Sequence, residues 1–358
     1  MNRRQMLVAS AAAISATAIS AGFGRKVWAD TKIGGEINVL SWGNYVDYAL
    51  PSFEQKYGTK VNIDYYADEK EAMNKIRAAG LGTYDVVFLG VGQEEVAMKQ
   101  GLTDPIDVAK LASFKDLYPQ FQQPKATGVF DHVTYSWGTN GLIAYDPAKT
   151  GAPIKSWKDV FSGKYKGRIG KIDKANEQAY RTVFQAGFKY GPLSDDQWNK
   201  VAETLAGDMS QVRTIYQHYD EMAQLLATGE IWIADTDDGG FRQAKAKGLK
   251  IELAYPEEGF IAWYDGPCLI KQAPHPAAAY AFIDHVISPE TQARLGKEVG
   301  YSPANAKAVP MMDAEIRKTL DIDNLVANMS RVQFQTDLGA AYEDKATDVW
   351  QKAKAQAQ

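Results

Sequence analysis

Between residues 37 and 100 the chain alternates apolar runs with amphipathic ones, and this alternation constrains the fold more than any other feature. Residues 37–42 read as a strand, 46–57 as a helix, 60–66 as a strand, 69–79 as a helix, 84–89 as a strand and 93–100 as a helix. Such an order predicts an α/β architecture in which a mostly parallel sheet is covered by helices on both faces. Ligands of such sheets collect beyond the carboxyl ends of the strands, which here are residues 41–45 and 90–93. Both segments are rich in glycine and hydrogen-bonding side chains.

A long strand-like stretch over 133–145 is interrupted by Gly138 and Gly141. Glycine absorbs backbone rotation, so this stretch is the expected crossing between two lobes. Beyond it the pattern predicts a strand over 168–173, helices over 176–189 and 194–205 (the latter capped by Ser194), a helix over 220–227 and a strand over 231–235. The apolar strand 259–264 leads back, and helices over 276–287 and 339–355 close the chain.

The first 29 residues read as an export signal. Arg3 and Arg4 precede an uncharged, largely apolar run over 6–23, and Val27-Trp28-Ala29 offers small residues for cleavage ahead of Asp30. The arginine pair suggests twin-arginine export, but the flanking residues depart from that motif and leave the ordinary secretory route open. No other segment is long and apolar enough to cross a membrane, so a soluble exported protein is expected. A single cysteine, Cys268, excludes an intramolecular disulfide. The signal carries four basic residues and no acid, so its removal takes the net charge from −4 to −8, which disfavours nucleic acid and anionic membranes as partners. The remaining 329 residues exceed what one core usually supports, which argues for two lobes, and no flexible linker joins them.

Signatures of catalysis are missing. The four histidines have no metal-ligand spacing, and there is no nucleophile elbow and no phosphate-binding loop. Gly90-Val91-Gly92 lacks the third glycine of a dinucleotide fingerprint, and Asp235-Thr236-Asp237-Asp238 fails as a calcium loop. No cofactor is expected. A binding design is visible instead in Glu258–Asp265, where Trp263 and Asp265 lie two apart on a strand and so share a face. An indole face and a carboxylate on one wall suit a small ammonium ligand. The alternative is a core indole and a loop-capping aspartate.

The chain resembles the periplasmic substrate-binding proteins of polyamine-type ABC importers, relatives of the spermidine- and putrescine-binding proteins. The resemblance rests on Leu40-Ser41-Trp42-Gly43-Asn44-Tyr45, Tyr84-Asp85-Val86-Val87, Tyr135-Ser136-Trp137-Gly138-Thr139, Ser156-Trp157-Lys158-Asp159, Trp263-Tyr264-Asp265, Ser288-Pro289-Glu290 and Gly300-Tyr301-Ser302-Pro303-Ala304-Asn305, in that order. It implies a two-lobed type II binding protein, each lobe a mostly parallel sheet flanked by helices, with the ligand in the interlobe cleft. The expected division is 1–29 signal, 30–138 with 266–307 N-terminal lobe, and 139–265 with 308–358 C-terminal lobe. By resemblance, Trp42 and Tyr45 form the first lobe's aromatic wall, Trp263 and Asp265 a second indole and the main amine-binding carboxylate, Tyr301 a ring near the hinge, Gln335 a polar contact and Glu177 a carboxylate for a ligand amine.

Other positions depart from that pattern. Gly90 and Gly92 stand where polyamine binders place serine and an aromatic, Lys174 stands beside Glu177, and Asp237 falls near a usual tryptophan. Asp237 can also serve as a helix cap, Lys174 and Glu177 as a surface pair, and Arg213 as a surface arginine. If Arg213 instead holds a ligand carboxylate, with Asp237 or Asp265 at the other end, the site selects a γ-aminobutyrate-like ω-amino acid. The expectation is a periplasmic, monomeric receptor that delivers this ligand to an inner-membrane ABC permease. A putrescine or spermidine receptor is the alternative, and an exported enzyme on the same fold a remote one.

Overall fold

The computed structural model describes residues 33–124 and 127–357, so the expected export signal lies outside the described residues. The three early apolar runs become β1 (Glu36–Ser41), β2 (Lys60–Tyr65) and β3 (Val86–Gly90), with β1 parallel to both neighbours. Helices Leu50–Tyr57 and Glu69–Ala79 connect them and bury Phe53, Tyr57, Ala72, Met73 and Ile76 against the sheet. The second helix starts where Asp68 accepts the Glu71 N–H at 3.0 Å, which places Glu69 in its first turn beside the end of β3.

After the short β4 (Thr103–Asp104) the chain runs through β5 (Ser136–Asn140) and, past Gly141 at φ 76°, into β6 (Leu142–Tyr145) of a different sheet. That sheet is completed by β7 (Ile169–Ile172), β8 (Val212–Tyr216), β9 (Ile233–Thr236) and β10 (Glu252–Ala254) in the order β10-β6-β9-β7-β8. The eleven-residue β11 (Phe260–Ile270) then returns to the first sheet, joined there by β12 (Ser302–Pro303) and β13 (Val332–Phe334). The first sheet has eight strands, ordered β12-β5-β11-β3-β1-β2, with β4 and β13 also on β11.

The two-lobed α/β expectation holds, and pairing within it is mixed. Strands supplied by strand–helix–strand units pair in parallel, as in β2-β1-β3 and β9-β7-β8. At the first two crossings the strands pair antiparallel, as β11 does with β3 and β5, because they run back against the direction of the units they join, whereas β13, ahead of the third crossing, pairs parallel with β11. The expected divisions at 138/139 and 265/266 fall inside β5 and β11, whereas the sheets change between Asn140 and Leu142 and between Ala254 and Phe260. The 307/308 division differs in the same way. Met312, Leu320, Ile322 and Leu325 pack with Phe53 and Phe282 in the first core, and only the final helix, Ala340–Ala357, joins the second lobe, where Ala346, Val349 and Trp350 meet Val183, Trp198 and Leu205. The chain therefore passes between lobes three times.

Candidate ligand-binding site

The long strand β11 builds the first wall. Alternation buries Ala262, Tyr264 and Gly266 and leaves Trp263 and Asp265 half-buried on the opposite face, so Trp263 is not a core indole and Asp265 is not a loop cap. Register sets Asp265 opposite Gly90 of β3 and Ser136 of β5. Its Oδ2 accepts from the Tyr45 hydroxyl at 2.9 Å and the Ser136 hydroxyl at 3.4 Å. Burial nonetheless pushes the Asp265 carboxyl up to about 7, with the neighbouring carboxylates of Glu69 and Glu94 acting in the same sense.

Aromatic rings frame this carboxylate. Trp42 and Tyr45 meet edge to face at 5.0 Å, Tyr45 and Tyr301 at 6.4 Å, and Tyr301 and Trp263 at 5.0 Å. The Trp263 indole lies directly over Gly138, its register partner on β5, where a Cβ would come within 2.4 Å of Trp263 Cζ2. Glycine is needed here for close approach, and that need explains one of the two glycines in the crossing stretch.

The second wall is formed by the carboxyl ends of β7 and β9. Helix Ala175–Gln185 follows β7 and carries Glu177 in its first turn, where Lys174 Nζ sits 2.7 Å from Glu177 Oε1 and 3.3 Å from the Tyr219 hydroxyl. Burial pushes Glu177 up to about 7; Lys174 opposes this, and Asp237 and Asp235 reinforce it. Asp237 follows β9 and caps helix Asp238–Ala246 by accepting the Gly240 N–H at 2.5 Å. The adjacent Asp238 is buried and paired with Arg242 at 3.3 Å.

Tyr301 stands between the walls. Burial raises its phenol, and the charges that act on it come from Asp265 on one side and from Arg242, Asp238 and Asp237 on the other. Gln335 joins the walls near the third crossing: its N–H donates to Ala262 of β11 at 2.8 Å, and its side chain donates to the Tyr180 hydroxyl on the Glu177 helix at 3.2 Å. Trp42, Tyr45, Gly90, Trp263, Asp265 and Tyr301 thus gather on the first wall, Glu177 and Asp237 on the second, with Gln335 between.

Arg213 does not join them, and the expectation that it faces the cleft is corrected. It lies on β8, the edge strand, at the bulge where the pairing of β7 skips from Val212 to Thr214. The bulge re-aims the side chain outward, and Arg213 is exposed with Nη2 3.3 Å from Glu230, a residue that precedes β9. This is the amino end of the sheet, opposite Glu177 and Asp237.

Several site neighbours had no clear signal in the sequence. Glu69 sits in the first turn of its helix, where an acid reads as a dipole-stabilising residue. Ser136 and Tyr219 are contributed by distant strand and helix ends. Beneath the second wall, buried Lys171 and Arg181 meet buried Asp208 and Asp235: Arg181 donates to Asp208 at 2.9 Å, Lys171 to Gln178 at 3.0 Å, and Gln178 to Asp235 at 2.5 Å. This network ties the Glu177 helix to β7 and β9, immediately before Asp237.

The sequence model of the bacterial extracellular solute-binding proteins matches residues 49–321. The chain belongs to this family. Among its relatives, a putrescine/agmatine-binding protein of Pseudomonas aeruginosa is 26% identical over 341 residues, covering 89% of this chain and 91% of that protein. A putrescine-binding periplasmic protein of Escherichia coli is 25% identical over 304 residues, covering 79% and 81%. A solved spermidine/putrescine substrate-binding protein of Streptococcus pneumoniae superposes with TM-score 0.76 at 22% identity, over 91% of this chain and 100% of that one. The structure titled Atu4243-GABA receptor gives TM-score 0.62 at 20% identity, over 90% and 98%. This agrees with the kind of protein expected from the sequence: the chain is a bacterial extracellular solute-binding protein, and the relatives named above include putrescine, agmatine and spermidine binders.

Proposed function

We propose that the receptor binds a small organic dication, a diamine such as putrescine or a longer polyamine, between its lobes. The observation that carries this reading is the charge of the two walls. Asp265 and Glu69 lie on one and Glu177 and Asp237 on the other, while Lys174 and Arg242 are each already paired with a carboxylate. A cation at each end offsets the cost of burying Asp265 and Glu177, and the rings of Trp42, Trp263 and Tyr301 pack on the methylenes between. The names of the relatives, putrescine, agmatine and spermidine binders, agree with it.

The γ-aminobutyrate preference drawn from the sequence required a basic residue for the ligand carboxylate, and Arg213 faces away. Ligand contacts on both walls favour a closed form that an inner-membrane permease recognises, with closure turning on the segments around Gly141, 255–259 and 335–339. Export through the N-terminal signal and a monomeric state belong to the same reading. Calorimetric titration of the dialysed protein with putrescine, spermidine and γ-aminobutyrate tests it. Micromolar binding of an amine, about 8 kcal/mol, supports the reading, and binding of γ-aminobutyrate alone refutes it.

A further inference from the structure

Two carboxylates converge where β3 ends without a side chain. A Cβ at Gly90 would stand 3.1 Å from Glu69 Oε1 and 3.6 Å from Asp265 Oδ1, so both acids reach within 4 Å of one point. They come from different elements: Glu69 from the first turn of helix Glu69–Ala79, Asp265 from β11, whose register partner is Gly90 itself. The donors that hold Asp265, Tyr45 and Ser136, both bind Oδ2. Among the described residues, the hydrogen bonds and ion pairs include no partner for Asp265 Oδ1 or for the Glu69 carboxylate. When both carboxylates are ionised they repel each other across this point, and a cation between them relieves that repulsion.

We propose that Glu69 is a ligand-binding residue which, with Asp265, clamps one cationic head of the ligand in the space left by the missing side chain of Gly90. This inference rests on the dication reading above and assigns one end of it. A head with N–H donors in more than one direction, a primary ammonium or a guanidinium, can donate to Glu69 Oε1 and Asp265 Oδ1 together; a quaternary ammonium cannot. Gly90 and Glu69 form a matched pair, since any side chain at position 90 occupies the space into which Glu69 reaches. Glu71, two residues on, faces away from this point, accepting from the Ala67 N–H and pairing with Lys75.

The test is calorimetry with putrescine and with its hexamethylated, bis-quaternary analogue on wild type, Glu69→Gln, Gly90→Ser, the double variant, Asp265→Asn and the control Glu71→Gln, with thermal unfolding of each. Wild type is expected to prefer putrescine strongly. Glu69→Gln and Gly90→Ser are each expected to weaken putrescine at least tenfold and to narrow that preference, the double variant to be no worse than the weaker single, and Glu71→Gln to bind as wild type. Retention of wild-type affinity and preference in both Glu69→Gln and Gly90→Ser, with binding lost in Asp265→Asn, overturns the role of Glu69 and leaves the dication reading standing. Failure of the wild type to bind any amine overturns both.

Discussion

Acidifying the receptor from pH 8 to pH 6 is expected to weaken cation binding about a hundredfold while making the ligand-free protein more stable. Asp265 and Glu177, one on each wall, both carry carboxyls raised by burial to about 7. Over this range the ionised fraction of each falls from about nine-tenths to about one-tenth, so each contributes about a tenfold loss of affinity, or about 1.4 kcal/mol. Because the folded values lie above the ordinary 3.8 and 4.5, the folded chain holds these protons more tightly than the unfolded one. The stabilising contribution is therefore complete below about pH 4 and is lost as pH rises through about 7, amounting to about 1.4 kcal/mol per group between pH 6 and pH 8. Calorimetry at pH 6, 7 and 8 in buffers of different ionisation enthalpy reads both the affinity and the protons released. Urea unfolding of the ligand-free protein against an Asp265→Asn/Glu177→Gln variant isolates the stability term. An affinity constant within threefold across the range, or no proton release on binding, would refute the reasoning.

Other substitutions test separate parts of the site. Gly138→Ala drives a methyl into the Trp263 indole, so amine affinity is expected to fall at least tenfold and stability by about 1–3 kcal/mol, read by calorimetry and urea unfolding; wild-type binding would show that the indole position is immaterial. Arg213→Ala removes only an exposed pair with Glu230 and is expected to leave affinity within twofold and stability within about 0.5 kcal/mol. Arg181→Ala leaves buried Asp208 and Asp235 with only Lys171, 3.7 Å from Asp208, as a nearby cation and is expected to cost about 3–5 kcal/mol in urea unfolding.

The elements legible in the sequence are those whose signals are local. The apolar runs of β1, β2 and β3 and the helix Glu69–Ala79 stand close to where periodicity places them, and the helix Asp195–Met209 begins at the Ser194 cap and runs four residues past the expected end at 205. The face shared by Trp263 and Asp265 follows from the two-residue period of a strand. Misreadings arose where the decisive fact is long-range. Arg213 follows a regular strand pattern, and only its pairing with β7 reveals the bulge that turns it outward. Glu69 reads as a helix-start acid until the register of β11 against β3 brings Asp265 to the same point. The segments 308–334 carry only short helices of three to six residues, so the lobe they join is set by packing into the core that holds Phe53 and Phe282, which no local pattern announces.

The most direct test is a crystal structure of the receptor grown with putrescine. The predicted density is a linear diamine between the lobes, one nitrogen within hydrogen-bond distance of both Asp265 Oδ1 and Glu69, the other beside Glu177 and Asp237, with Trp263 and Tyr301 along its methylenes. A closed cleft in which the diamine avoids Asp265, or in which only an amino acid carboxylate is held by a basic side chain, would contradict the account.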